Sequence, residues 1–207
     1  CVLANPPFSL KDWGAVAFES DKYGRNMWGC PTDKMGADYA WLQHMIMSMN
    51  ARTGRCAVVL PQGVLFRSGK GEIRKQLVES DKLECIIALS GGIFYSTGVS
   101  ACILFLNNAK THNHIGRVCM IDASNIYTPQ RAQNIMSDTD VEEIFNLYTD
   151  YQDVVEKSKV VTLEEIRNKE YSLAINNYVE KKKQEVTPPE EVRKQYFEAL
   201  QATREPS

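Results

Sequence analysis

A short apolar run, Val2-Leu3-Ala4, stops abruptly at Asn5-Pro6-Pro7-Phe8, and this stretch constrains the fold more than any other. It reads as a buried parallel strand that delivers a rigid turn at its carboxyl end, where open α/β sheets place their ligands. Each proline fixes φ, lacks an N–H and pushes the residue before it out of the helical region, so the carbonyls point away from any ladder. The Asn5 side-chain oxygen and the Pro6 carbonyl then form a pair of acceptors suited to the two hydrogens of an exocyclic NH2. Beside them the Phe8 ring offers a face to a base turned out of its stack. Such acceptors matter chemically because the lone pair of an adenine-type amine is delocalised. As that nitrogen attacks a sulfonium methyl group it becomes tetrahedral and positive, so hydrogen bonds that tighten there favour the transition state over the ground state. The competing reading is an ordinary Pro-Pro turn after a strand.

With 207 residues, 43% of them hydrophobic, the chain can bury one sizeable core and carry an appended helical piece. Its formal net charge of −2 does not exclude DNA binding, but it makes affinity depend on a local patch or a partner. None of the six cysteines (1, 30, 56, 85, 102 and 119) forms a Cys-x-x-Cys pair. Cys56, Cys85, Cys102 and Cys119 sit in or beside apolar runs, as buried core thiols of a reduced, cytoplasmic protein do. No apolar run approaches the roughly 20 residues of a membrane span. Because Cys1 lies inside a strand pattern, the chain is expected to be cut at its amino end.

Ser9 to Gly36 shows no clear period and interleaves Lys11, Trp13, Lys22, Tyr23, Arg25, Trp28 and Lys34. It suits either contact with phosphates and unstacked bases or a surface loop pinned by its tryptophans. Asp38–Asn50 predicts a helix with Trp41, Leu42, Met45, Ile46 and Met49 on one stripe, Asp38 as its cap and Gly54 at its end. His44 falls on the neighbouring face, where a structural role is expected. Strands are predicted at Cys56–Leu60, Leu83–Leu89, Ala101–Leu106 and Arg117–Asp122, with a helix over Glu72–Ser80 and the last pair of strands making a hairpin-like edge. Gly63 to Gly71 fails the phosphate-loop pattern: five residues, not four, precede Gly69-Lys70, and Gly71 stands where Ser or Thr is needed. Ser90 to Gly98 holds Phe94 and Tyr95 between glycines, suited to a planar ligand or to a turn with core aromatics. His112 and His114 read as solvated. Beyond Ser124 the composition turns helical and charged. Capping boxes at Thr139–Glu142, Thr162–Glu165 and Thr187–Glu190 place helix starts near Asp140, Leu163 and Pro188. Tyr196, Phe197 and Leu200 form a small stripe suited to packing on a partner.

In this order the pieces resemble the modification subunit of type I restriction-modification systems, an adenine-specific DNA methyltransferase. The resemblance rests on Asn5-Pro-Pro-Phe8, Gly36-Ala-Asp-Tyr-Ala-Trp-Leu-Gln-His44, Val59 to Arg67 with Ile73-Arg74, and Gly92 to Gly98 with Ile103-Leu104. It continues in Ile121-Asp-Ala-Ser124, Gln133-Asn134, Glu164-Glu-Ile166, Tyr171-Ser-Leu173 and Tyr178-Val179. It implies that Asn5, Pro6, Pro7 and Phe8 are the target-base motif, with Arg67 and Tyr95 as neighbours of the site. It also implies S-adenosyl-L-methionine as cofactor, although the family's glycine-rich cofactor loop precedes this motif. The implied partners are double-stranded DNA, a specificity subunit and a restriction subunit.

The expected fold is α/β, the carboxyl half of a Rossmann-like methyltransferase sheet with a helical carboxyl-terminal extension. Residues 1–124 form the target-base half of a catalytic domain and 125–207 an extension for subunit assembly. The expected function is methyl transfer to adenine within the full-length protein, the fragment alone being inactive. Methylation of a protein glutamine amide and a non-catalytic assembly module are the alternatives.

Overall fold

A computed structural model describes residues 1–31, 36–67, 71–94, 98–131, 133–181 and 193. The chain begins with β1 (Val2–Ala4), followed by the short helix α1 (Ala15–Glu19) and by α2 (Asp38–Ser48). It continues through β2 (Arg55–Pro61), a 3-10 turn (Gln62–Leu65), α3 (Gly71–Glu79), β3 (Leu83–Leu89), β4 (Ala101–Asn107) and β5 (Arg117–Ala123). Then come the two-residue strands β6 (Thr128–Pro129) and β7 (Asn134–Ile135), α4 (Asp138–Asp150), β8 (Ser158–Thr162), α5 (Leu163–Asn168) and a 3-10 turn (Ile175–Asn177).

Six strands form one sheet in the order β1-β2-β4-β3-β5-β8. β1, β2, β3 and β5 run in one direction, while β4 and β8 run against it. The alternation of side chains decides what each face buries. On β3, Ile86 and Ala88 join Leu42 and Ile46 of α2, Leu77 of α3 and Ile166 of α5 on one face. Cys85, Ile87 and Leu89 join Ile144 and Leu147 of α4 on the other. All seven residues of β3 are buried, as expected of an interior strand covered on both faces. The result is a mixed α/β sheet with helices on both sides, as the sequence implied.

The expected hairpin-like edge is not formed. β4 is inserted between β2 and β3, pairing Val59 with Ile103 and Ile87 with Ile103, and β5 pairs with β3 instead. The segment expected as a helical extension also continues the sheet: β8 pairs antiparallel with β5, Val118 against Val161. The predicted helix start at Leu163 is found, with Thr162 and Glu165 in a reciprocal cap. α4 starts two residues before the predicted position because Ser137 and Asp140, not Thr139 and Glu142, make its capping box. The capping box at Thr187 and the stripe at Tyr196 to Leu200 lie outside the described residues.

Asp38 is not the cap of α2. Ala37 occupies that position without a side-chain bond, and the helix ends at Ser48, ahead of Gly54. His114 is not solvated either. Its ring stacks on Tyr151 with centroids 3.7 Å apart, and its Nδ1 lies 3.0 Å from Glu84 Oε1. Glu84 is buried, accepts from Asn107 Nδ2 at 3.0 Å and from the Tyr148 hydroxyl at 3.0 Å, and so ties α4 to the sheet. Burial pushes this carboxyl up, but hydrogen bonds from His114, Asn107 and Tyr148 and the nearby Arg55 charge outweigh it and hold it below the ordinary range.

Cys56, Cys85, Cys102 and Cys119 are buried free thiols, as predicted. Burial pushes the Cys56 thiol up to about 11 and raises the Cys85 and Cys102 thiols as well. These three thiols are therefore poor nucleophiles at neutral pH. No helix among the described residues is long and apolar enough to cross a membrane, and no group of three or more His, Cys, Asp or Glu side chains among them could hold a metal ion.

Candidate active site

The carboxyl ends of β1, β2, β3 and β5 point to one edge of the sheet, and β4, running the other way, starts there. Asn5-Pro6-Pro7-Phe8 leaves β1 at this edge. Asn5 is exposed, and among the described residues its carboxamide makes no hydrogen bond, so its oxygen is available to a ligand. Phe8 is half-buried and meets Phe94 edge-on, with ring centroids 5.8 Å apart and planes at 78°. β1 and β3 are three strand positions apart in the sheet, about 14 Å at the usual spacing. The two phenyl rings therefore close an arch over the ends of β2 and β4. This places Phe94 at the site, while Tyr95 lies outside the described residues.

Under that arch the Gln62 amide donates to Leu89 O at 2.9 Å and to Ala101 O at 3.1 Å, and its backbone N–H bonds Ser100 O at 2.9 Å. One side chain thus pins the ends of β2, β3 and β4 together. The turn after β3 is held from its other side by Asn134. The Asn134 carboxamide donates to Gly91 O at 2.8 Å, and its backbone N–H bonds Gly92 O at 2.9 Å. Polar groups that hold three chain ends at a sheet edge carry no periodic signal, so neither residue stands out as part of a site except within the quoted Val59–Arg67 and Gln133-Asn134 motifs.

Arg67 follows the 3-10 turn after β2 and is exposed. Its guanidinium folds back on Gly63, where an added Cβ would lie 2.5 Å from Arg67 Nε. Its carbonyl accepts from Arg74 Nη1 at 3.0 Å. Arg67 therefore shares the edge, and among the described residues no hydrogen bond joins it to the Asn5 turn.

The exit from the turn is fixed by α2. Ser9 takes a left-handed φ of 48°, and its N–H and Oγ reach the carboxylate of Asp38 at 2.7 and 3.2 Å. Asp38 is completely buried at the first turn of α2, where a negative charge is favoured by the helix dipole. Gly36 lies against this contact at φ 71°, where a Cβ would sit 2.8 Å from the Ser9 backbone. Farther on, Gln43 of α2 accepts from Trp28 N–H at 2.7 Å and donates to Gly29 O at 2.9 Å. The Ser9 to Pro31 segment, which contains α1, is thus clamped to α2 at both ends; Lys34 lies outside the described residues.

Residues 1–187 match the family described as N-6 DNA Methylase. The methylase subunit of the HindI type I restriction enzyme from Haemophilus influenzae is 35% identical over 193 residues, covering 89% of this chain and 42% of that protein. The MjaVIII methylase subunit from Methanocaldococcus jannaschii is 33% identical over 184 residues, covering 86% of this chain and 31% of that protein. The chain thus spans about a third of the length of the curated relatives it matches. The methyltransferase subunit of the type I restriction-modification system from Streptococcus thermophilus superposes with a TM-score of 0.77 at 34% identity, covering 86% of this chain and 38% of that one. The EcoKI M protein, at 20% identity and a TM-score of 0.58 over 97% of this chain and 47% of that one, shares the fold.

Proposed function

Since the chain belongs to the N-6 DNA methylase family and the relatives named above are type I methylase subunits, we propose that its Asn5 turn holds the exocyclic amine of an adenine in DNA during methyl transfer. The observation that carries this reading is an unbonded, exposed carboxamide on a proline-stiffened turn beside the half-buried ring of Phe8. S-adenosyl-L-methionine supplies the electrophilic methyl group when bound. No residue of this chain is assigned to the cofactor.

The chain's own work is to position and polarise the amine. The Asn5 oxygen and the Pro6 carbonyl accept its two hydrogens while Phe8 stacks on the base, itself braced edge-on by Phe94. As the nitrogen–carbon bond forms and the carbon–sulfur bond breaks, positive charge grows on the nitrogen and both hydrogen bonds tighten until a proton leaves to solvent. Pro6 and Pro7 keep the acceptors from relaxing away. Arg67 and Tyr95 are proposed as neighbours of the bound strand. Residues 125–207 are proposed to join a specificity subunit that reads sequence and a restriction subunit, in the cytoplasm where the DNA lies.

Single-turnover methylation of an adenine-containing duplex by the full-length protein in its complex tests this. Asn5→Ala should slow the chemical step about a hundred- to a thousandfold, the effect of losing a donor–acceptor contact to developing charge. Phe8→Ala should instead weaken capture of the base, by about 1 to 3 kcal/mol for a lost stacking partner. Near-normal chemistry from folded Asn5→Ala would return the motif to an ordinary turn.

A further inference from the structure

Phe94 reaches Phe8 from the turn that follows β3, and that turn contains Gly91 and Gly92. Glycine explores more backbone conformations than any other residue, and Gly92 takes a left-handed φ of 73°. Two successive glycines therefore do not by themselves fix where the ring that follows them points. Gln62 holds Leu89 O and Ala101 O, on either side of the turn. The glycine carbonyls themselves are taken by one residue of β7. Asn134 Nδ2 donates to Gly91 O at 2.8 Å and to Ser90 Oγ at 3.3 Å, and the Asn134 backbone N–H donates to Gly92 O at 2.9 Å. The conformation that the local chain leaves open is thus supplied by a residue 43 positions beyond Gly91.

Asn134 can impose this geometry only if it is held in turn. Met136 packs on the apolar cluster that also takes Ile93 and Phe94. Ser137 closes the capping box of α4, whose Ile144 and Leu147 are buried on the sheet. Asn134 is thus braced from α4 and reaches across to the turn, although it belongs to the segment expected to serve subunit assembly. Its side-chain chemistry is specific. A carboxamide nitrogen offers two hydrogens, and a carbonyl and a hydroxyl oxygen stand within its reach. A carboxylate of the same shape offers none and sets a negative oxygen against Gly91 O. With the turn held, Phe94 lies edge-on to Phe8 at 5.8 Å between ring centroids; a turn that shifts carries this ring with it and releases the brace on Phe8.

We propose that Asn134 is a positioning residue for capture of the target base: it sets the turn over residues 90–92, and through it the Phe94 ring that braces Phe8. The proposal rests on Phe8 stacking on that base, and its test separates the two ideas. The full-length protein in its complex methylates a duplex under single-turnover conditions, once with the target adenine paired and once with it opposite a mismatched base, which lowers the cost of turning it out. Asn134→Asp keeps the side-chain shape and removes both donated hydrogens. It should slow methylation of the paired duplex about fivefold, the low end of what a lost stacking partner costs, and return to within about twofold of wild type on the mismatched one. Phe8→Ala should show the same dependence on pairing more strongly, whereas Asn5→Ala stays slow on both duplexes because its defect is in the chemical step. In a Phe94→Ala background Asn134→Asp should add nothing, since changes that act through one contact are not additive. Where Asn134→Asp does not fold, Gly92→Ala disturbs the same turn and should repeat the pattern: its Cβ would meet Asn134 Nδ2 at an ordinary 3.6 Å, but on a left-handed backbone. Equal slowing on both duplexes, or slowing that adds to that of Phe94→Ala, would overturn the positioning role in favour of a general support of the fold. Wild-type rates from folded Asn134→Asp would overturn it as well. If Phe8→Ala is as fast as wild type on the paired duplex, the target-base reading fails and the proposal falls with it. If Phe8→Ala is slow and Asn134→Asp is not, that reading stands and only Asn134 loses its role.

Discussion

Removing the buried carboxylate of Asp38 is the sharpest test of how the site is held. Two hydrogen bonds from Ser9, at 2.7 and 3.2 Å, end on this charge. Bonds to charged groups contribute about 1.5 to 3 kcal/mol, and an anion in the first turn of a helix about 0.3 to 1 kcal/mol. The 3.2 Å contact is the weaker, and Ser9 is only half-buried, so water recovers part of the loss. Asp38→Ala should therefore destabilise by about 3 kcal/mol in urea unfolding at constant m. Asp38→Asn keeps the shape and one neutral acceptor for the Ser9 N–H, and should cost about 1 to 2 kcal/mol. Ser9→Ala, which loses only the hydroxyl contact, should cost under about 1 kcal/mol. In methylation assays the Asn variant should lose rate, because the chain leaves Phe8 through Ser9. Buried ions can be replaced without loss when desolvation outweighs attraction. Equal stability of Asp38→Ala and wild type would show that this is such a case and refute the anchoring argument.

Gly36→Ala forces a side chain into a left-handed backbone at φ 71° and against the Ser9 backbone; it should destabilise by about 2 kcal/mol or more and lower methylation with it, as thermal unfolding and single-turnover assays would show. The Glu84 carboxyl is held below its ordinary value in the folded chain, so the unfolded chain binds its proton first as pH falls. The stability from Glu84 is thus fully present above the unfolded value near 4.3 and is lost as pH drops through the folded one. Unfolding measured from pH 6 to 3 should fall more steeply for wild type than for Glu84→Gln, and parallel curves would show that this carboxyl contributes nothing to acid sensitivity.

Five strands were legible because each is a short apolar run bounded by turn residues: Leu83–Leu89 was placed to the residue, and β2 and β5 within one at each end. The order of those strands was not legible, since pairing β2 with β4 depends on contacts some 46 residues apart that no local pattern encodes. β8 was missed although Val160, Val161 and Thr162 are β-branched, because its flanking charges read as helical and its partner β5 lies far upstream. The Asn-Pro-Pro-Phe turn could be read from residue chemistry alone. Its supports could not: Asp38 looked like a helix cap, and only the fold brings it to Ser9. Trp41 followed the stripe of an ordinary helix and His44 its neighbouring face, and a cleft beside them exists only once the Ser9 to Pro31 segment folds across α2.

The placement of β4 sets the timing of assembly on the ribosome. β2 and β3 lie one strand apart and point the same way, and the strand that fills the slot between them is made after both. Asn107 is made eighteen residues after Leu89, about 1 to 4 seconds of synthesis, whereas strands pair in microseconds. In that interval both slot edges are unpaired apolar ladders, free to close on each other in parallel or to recruit a neighbouring chain. Productive folding then requires that premature closure to reopen, so lengthening the interval between the emergence of Leu89 and of Asn107 from the ribosome should lower the yield of native protein more than the same delay imposed once Ala123 has emerged.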